Sequence, residues 1–154
     1  FAFLRDNGIT TRTDMAAFTA RTEETLANLM KQRTVLNVRR KRRRALYTAL
    51  ADAEALAPVK ELYEAGLSGM ETEFAQYMDA VAALEQCGVP REGLIQEKAE
   101  LYDRLAELNR QIRAERRKLA LCRKTQNSLP RMEQEIDKAE ARESEVRTNE
   151  HRRR

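Results

Sequence analysis

Apolar residues recur along two long stretches of this chain at alternating steps of three and four. In the first, Met15, Phe18, Thr22, Thr25, Leu29, Gln32, Leu36, Arg39, Arg43, Leu46, Leu50, Ala53 and Ala57 fall on one stripe, and eight of the thirteen are apolar. In the second, Leu94, Lys98, Leu101, Leu105, Leu108, Ile112, Glu115, Leu119, Cys122, Gln126 and Leu129 do the same, with eight of eleven apolar. This spacing is the seam of an α-helix that packs lengthwise on another helix. It predicts long helices over residues 13–57 and 90–129.

Start and stop signals divide the rest. Phe1 to Asn7 can form short helical turns closed by Gly8 at a C′ position. Thr11 suits an N-cap, with Asp14 in the first turn where a carboxylate complements the helix dipole. Pro58 is expected to kink or interrupt the first long helix, leaving a short helical piece over 59–65 that Gly66 ends. Ser68-Gly69-Met70-Glu71 reads as a capping box that opens a connector helix over 68–87. That helix carries Met70, Phe74, Tyr77, Val81 and Leu84 on one face, and Gly88 ends it. Pro90 fits a first helical turn. Pro130 should kink or break the second long helix. Met132 and Ile136 continue an apolar trace into a tail, 130–154, expected to fray or to extend as an exposed helix.

Two long seams joined by a helical connector predict an all-α fold in one domain. It would be an elongated antiparallel helical hairpin, a coiled coil, with the connector packed at the tip. About 40 residues at the helical rise give a rod of about 60 Å. Phe3, Leu4 and Ile9 would pack at the open end near Leu129. Composition agrees: 35% of residues are charged, 5% are aromatic and Trp is absent, which suits long helices and not a thick core. The chain opens on Phe1 and closes on His151-Arg152-Arg153-Arg154 with no terminating signal, so a piece of a longer polypeptide is expected.

Charge adds a second pattern. Arg39, Arg40, Lys41, Arg42, Arg43 and Arg44 are six consecutive cations inside the first helix. Like charges this close on a helix repel, and a polyanion or acidic partner relieves the repulsion. Residues 108–130 hold seven basic groups and one acid, whereas 51–107 hold four basic and thirteen acidic. If Ala57 lies near Leu94, residues 39–44 fall beside about 107–112, and the two basic clusters form a belt above an acidic tip. Glu115, on the seam, would then pair with Arg39 or Arg43 and fix the register.

Recognisable catalytic chemistry is absent. No phosphate-binding glycine loop, dinucleotide fingerprint, zinc-protease motif or nucleophile elbow occurs. Cys87 and Cys122 are far apart and His151 stands alone, so neither metal ligation nor a cofactor is expected. Free thiols fit a reducing cytoplasm, and no apolar run could span a bilayer. Tyr47, Tyr63, Tyr77 and Tyr102 read as packing residues. The basic clusters contain no aromatics, so contacts would go to phosphates with little base reading.

The opening Phe1-Ala2-Phe3-Leu4-Arg5-Asp6-Asn7-Gly8-Ile9-Thr10-Thr11 resembles the entry to the helical region that follows the nuclease domain in relaxases of conjugative and mobilisable elements from Gram-positive gut bacteria. The later layout is also similar: a long charged helix, a join near Leu62-Tyr63, and a helix ending Ala82-Ala83-Leu84-Glu85-Gln86-Cys87-Gly88. Pro90 then precedes a second long helix with Glu97 and Leu101-Tyr102. The resemblance spans about residues 1–130. It implies part of a DNA-mobilising protein whose partners are DNA and other conjugation proteins. Such relaxases nick DNA with an N-terminal tyrosine and a histidine metal cluster. The cluster is missing here, so no catalytic residue carries over.

The expected role is therefore a non-enzymatic accessory region that meets DNA phosphates through Arg39, Arg40, Lys41, Arg42, Arg43, Arg44, Arg110, Arg113, Arg116, Arg117 and Lys118. The competing expectation is a structural coiled-coil module that dimerises or docks a protein through Val35, Val38 and Leu121.

Overall fold

A computed structural model describes residues 2–152, and side chains within that span except those of 129–137 and 140. The elements are α1 (Ala2–Asp6), α2 (Arg12–Glu64), α3 (Glu71–Gln86) and α4 (Arg91–Arg152). The protein is all-α, an antiparallel hairpin in which α2 packs on α4. It forms two compact units, one of residues 1–27 with 112–154 and one of residues 28–111.

Within the unit of residues 28–111, α3 lies against both long helices. Ala49, Leu50 and Ala53 of α2, Ala80 and Leu84 of α3, and Leu94 of α4 form one buried cluster, edged by Ala83, Cys87 and Val89. The alanines let the helices approach closely where three of them meet. Tyr63 stacks on Phe74, with ring centroids 4.1 Å apart, and ties the end of α2 to the start of α3. Further along, Leu36 and Tyr47 pack on Leu101 and Leu105. The connector thus packs at the turn of the hairpin, as the pattern predicts.

Within the other unit, Ile9, Met15 and Cys122 are buried together, with Phe3, Leu4 and Phe18 against them. Phe3 meets Phe18 edge to face at 5.7 Å. The N-terminal turns therefore cap an apolar patch, although the expected neighbour, Leu129, lies outside the described side chains, as do Met132 and Ile136. Thr11 is the N-cap of α2. The Asp14 backbone N–H donates to Thr11 Oγ1 (3.0 Å), and Asp14 Oδ2 accepts from the backbone N–H groups of Thr10 (3.0 Å) and Thr11 (3.2 Å). These hydrogen bonds, the Thr10 backbone one first, hold the Asp14 carboxyl below its ordinary pKa. Buried Thr22 and Thr125 return their hydroxyls to the carbonyls of Phe18 and Leu121, so neither is left unpaired.

Several boundaries differ from the sequence reading. Pro58 does not interrupt α2, which runs on to Glu64 and absorbs the short piece expected at 59–65. A proline removes one hydrogen bond to the carbonyl four residues earlier. Pro58 and Glu54 are both exposed, so water can take that bond's place. Pro130 does not break α4, which continues to Arg152, so the tail takes the second of its two expected forms, an extended helix. The expected Ser68–Glu71 box does not form. Met70 is the N-cap of α3 with no side-chain cap, and Glu71 Oε1 instead accepts from the Gly69 backbone N–H at 3.3 Å. Gly66 ends α2 at φ 91°, where Gly66 N–H donates to the Tyr63 carbonyl and Leu67 N–H to that of Leu62. That paired pattern is a Schellman motif, which a side chain with Cβ adopts only under strain.

The α4 stripe is buried at Leu94, Leu101, Leu105, Leu108, Ile112, Leu119 and Cys122, as its spacing predicts. The α2 stripe shifts by one residue in places: Leu26, Arg33 and Tyr47 turn inward, whereas Thr25 and Gln32 are exposed. Leu94→Ala should cost about 2–5 kcal/mol by leaving a cavity where three helices meet. Ile95→Ala, at a site 54% exposed, should stay within about 0.5 kcal/mol of the parent. Urea denaturation followed by far-UV circular dichroism checks both.

Candidate nucleic-acid interface

The register of α2 against α4 decides what the basic run faces. Arg33 Nη1 donates to Asn109 Oδ1 at 3.1 Å, Arg104 Nη2 to Gln32 Oε1 at 2.9 Å, and Arg43 Nε to Glu97 Oε1 at 3.0 Å. Leu94 packs with Ala49, Leu50 and Ala53. Residues 39–44 thus lie level with about 97–103, not 107–112. The expected register, with Ala57 beside Leu94, is displaced by several residues. Two constraints act together: the small-residue face of α3 packs with the Ala49–Ala53 stretch and Leu94, and Glu97 meets both Arg43 and Tyr47.

The altered register also changes the ion pairs. Arg43 does not pair with Glu115. It pairs with Glu97, whose side chain is 17% exposed. The Tyr47 hydroxyl donates to the same Glu97 Oε1 at 2.9 Å. Burial first, then the hydrogen bond to Glu97 and that residue's charge, raise the Tyr47 pKa above its ordinary value, against the opposing influence of Arg43 and Arg39. Glu115 is engaged within its own helix by Lys118 Nζ at 3.0 Å.

The candidate cations therefore sort into two groups. Arg43, Arg110 and Lys118 already hold acids. Arg110 grips Glu107 with two hydrogen bonds of 2.7 and 3.0 Å, which hold the Glu107 carboxyl below and the Arg110 guanidinium above their ordinary pKa values. In contrast, Arg39, Arg40, Lys41, Arg42 and Arg44 are exposed and have no ion pair among the described residues. In the other unit the same holds for Arg113, Arg116 and Arg117. Five uncompensated cations within two helical turns make a local positive potential that one internal carboxylate only partly offsets.

The sequence reading missed an aromatic contribution. Tyr102 and Lys98 on α4 lie beside Arg40 and Arg44, lining an open groove of about 460 Å³ whose floor includes Tyr47. Lys98 Nζ sits 5.9 Å from the ring centroids of both Tyr47 and Tyr102. The run itself contains no aromatic residue. Tyr47, next along α2, is buried, so the accessible ring comes from α4 with Tyr102, and no signal in the run could have revealed it. Among the described residues there is no group of three or more His, Cys, Asp or Glu side chains that could hold a metal, and no helix long and apolar enough to cross a membrane.

Replacement of Tyr47 by Phe tests the Glu97 node. A raised pKa means that folding favours the protonated phenol. Its contribution is complete below the ordinary tyrosine value of 10.0 and declines as pH rises through the elevated one. Tyr47→Phe should lose about 1–3 kcal/mol at neutral pH, and its stability should fall less steeply above that pH than the parent's. Denaturant titrations across alkaline pH provide the measurement.

Comparison with protein-family models, with curated proteins and with solved structures gave no match.

Proposed function

We propose that this chain is a non-catalytic, DNA-contacting accessory module of a mobilisation protein of the relaxase type. Arg39, Arg40, Lys41, Arg42 and Arg44 meet the phosphate backbone, and Arg113, Arg116 and Arg117 provide a second phosphate-binding patch. The observation that carries the reading is that five of the six clustered cations stay exposed without an acid among the described residues, while the sixth is held by Glu97. A chain evolved only to be soluble would intersperse acids there, as it does across residues 51–107. The relaxase context rests on the residue resemblance of the N-terminal segment and the helical layout. Arg43, Arg110 and Lys118 are assigned positioning roles, because their charges are already engaged.

A structural module is the second reading. Val35 and Val38 are 65% and 45% exposed on α2, and in the other unit Leu121 is 44% exposed. Concentration-dependent mass in light scattering, with no DNA binding at low salt, would favour it over the first.

Binding to DNA should depend little on sequence and weaken steeply with salt, by about 0.7–0.9 in log–log slope for each phosphate neutralised. The double substitution Arg42→Glu and Arg44→Glu should lower affinity at least tenfold and flatten that slope by about two. Fluorescence anisotropy over a salt series measures both quantities, and an unchanged affinity would refute the assignment.

A further inference from the structure

The groove between α2 and α4 in the unit of residues 28–111 combines two kinds of group that the phosphate reading alone does not require. Arg40 and Arg44 are one helical turn apart on α2, so they point to the same side. Lys98 and Tyr102 are likewise four apart on α4 and line the same groove. Three cations therefore converge around two tyrosine rings. The rings differ in access: Tyr47 is 5% exposed and its hydroxyl is committed to Glu97, whereas Tyr102 is 44% exposed. Glu97, adjacent to Lys98 in the chain, is occupied by Arg43 and Tyr47. Its charge is thus directed inward, and Arg40, Arg44 and Lys98 are left to the groove.

We propose that this groove binds single-stranded nucleic acid, with one base stacked on Tyr102 and the adjoining phosphates held by Arg40, Arg44 and Lys98. The inference deepens the phosphate-contact reading and rests on it. Cations that track a backbone beside an accessible aromatic ring are what a sequence-tolerant single-strand site needs, because every base has a π face. A duplex keeps its bases stacked on one another and can offer only phosphates to the same side chains. The groove's open form admits a strand that enters and leaves, whereas an enclosed pocket would admit only a free nucleotide. Lys98, near both rings, adds cation–π attraction that keeps Tyr102 beside the arginines. The site thus assigns Tyr102 a recognition role in place of the packing role its helical position suggests.

The test compares three labelled probes by fluorescence anisotropy at one low salt concentration: an oligo-dT strand, an abasic strand of equal length, and a mixed-sequence duplex. The parent chain should bind oligo-dT about tenfold more tightly than the abasic strand. Tyr102→Ala should remove that difference and leave duplex affinity unchanged, whereas Tyr102→Phe should keep it. Thermal melts of both variants, unchanged because the side chain is exposed, exclude unfolding as the cause. If oligo-dT and the abasic strand bind the parent equally, or Tyr102→Ala binds oligo-dT as the parent does, the single-strand site is overturned while phosphate contact stands. If none of the three probes binds, both readings fall.

Discussion

One carboxylate ties the basic run of α2 to α4. Glu97 Oε1 receives both the Arg43 guanidinium and the Tyr47 hydroxyl. An apolar stripe can slide by a heptad with little penalty, since one leucine substitutes for another. A partly buried acid that must find a guanidinium and a phenol cannot. Buried ion pairs contribute little net stability, because desolvation offsets attraction, but they select one register among several. The Arg33–Asn109 and Arg104–Gln32 hydrogen bonds act in the same sense along the same helix pair.

That register has consequences for electrostatics. It takes one of six neighbouring cations out of play and leaves five to solvent. It also brings the basic run level with Lys98 and Tyr102 on α4. Intramolecular repulsion in the run remains a standing cost, met partly by Glu97 and otherwise available to be relieved by an external polyanion. In the second cluster, acids placed three residues away along the same helix hold Arg110 and Lys118. The two basic stretches look alike as composition, yet they differ in which cations are free.

The helix pattern was legible because heptad spacing is a local, repeated signal. Leu94, Leu101, Leu105, Leu108 and Ile112 are buried where that spacing puts them. Thr11 and Asp14 form the cap that their identity and spacing imply. The errors lie where local rules meet tertiary context. Pro58 reads as a kink or an interruption, and the interruption is absent because the residue sits on an exposed face where a lost hydrogen bond is cheap. Ser68 and Glu71 have capping-box spacing, but positive φ at Gly69 turns the chain so that the helix begins later, after Met70.

By itself the sequence determined that this chain is helical, that two long helices pair, that a third joins them, and that cations cluster in the run 39–44. Those properties follow from periodicity and charge within single segments. Tertiary structure alone decided the register, hence the partners of Arg43 and Glu115, the freedom of the remaining arginines, and the meeting of Arg40 and Arg44 with Tyr102. Register is a competition between whole-helix alignments. It is settled by the Glu97 node with Arg43 and Tyr47 and by the cluster that gathers Ala53, Ala80 and Leu94, which join residues far apart in the chain and leave no periodic trace within any one stretch.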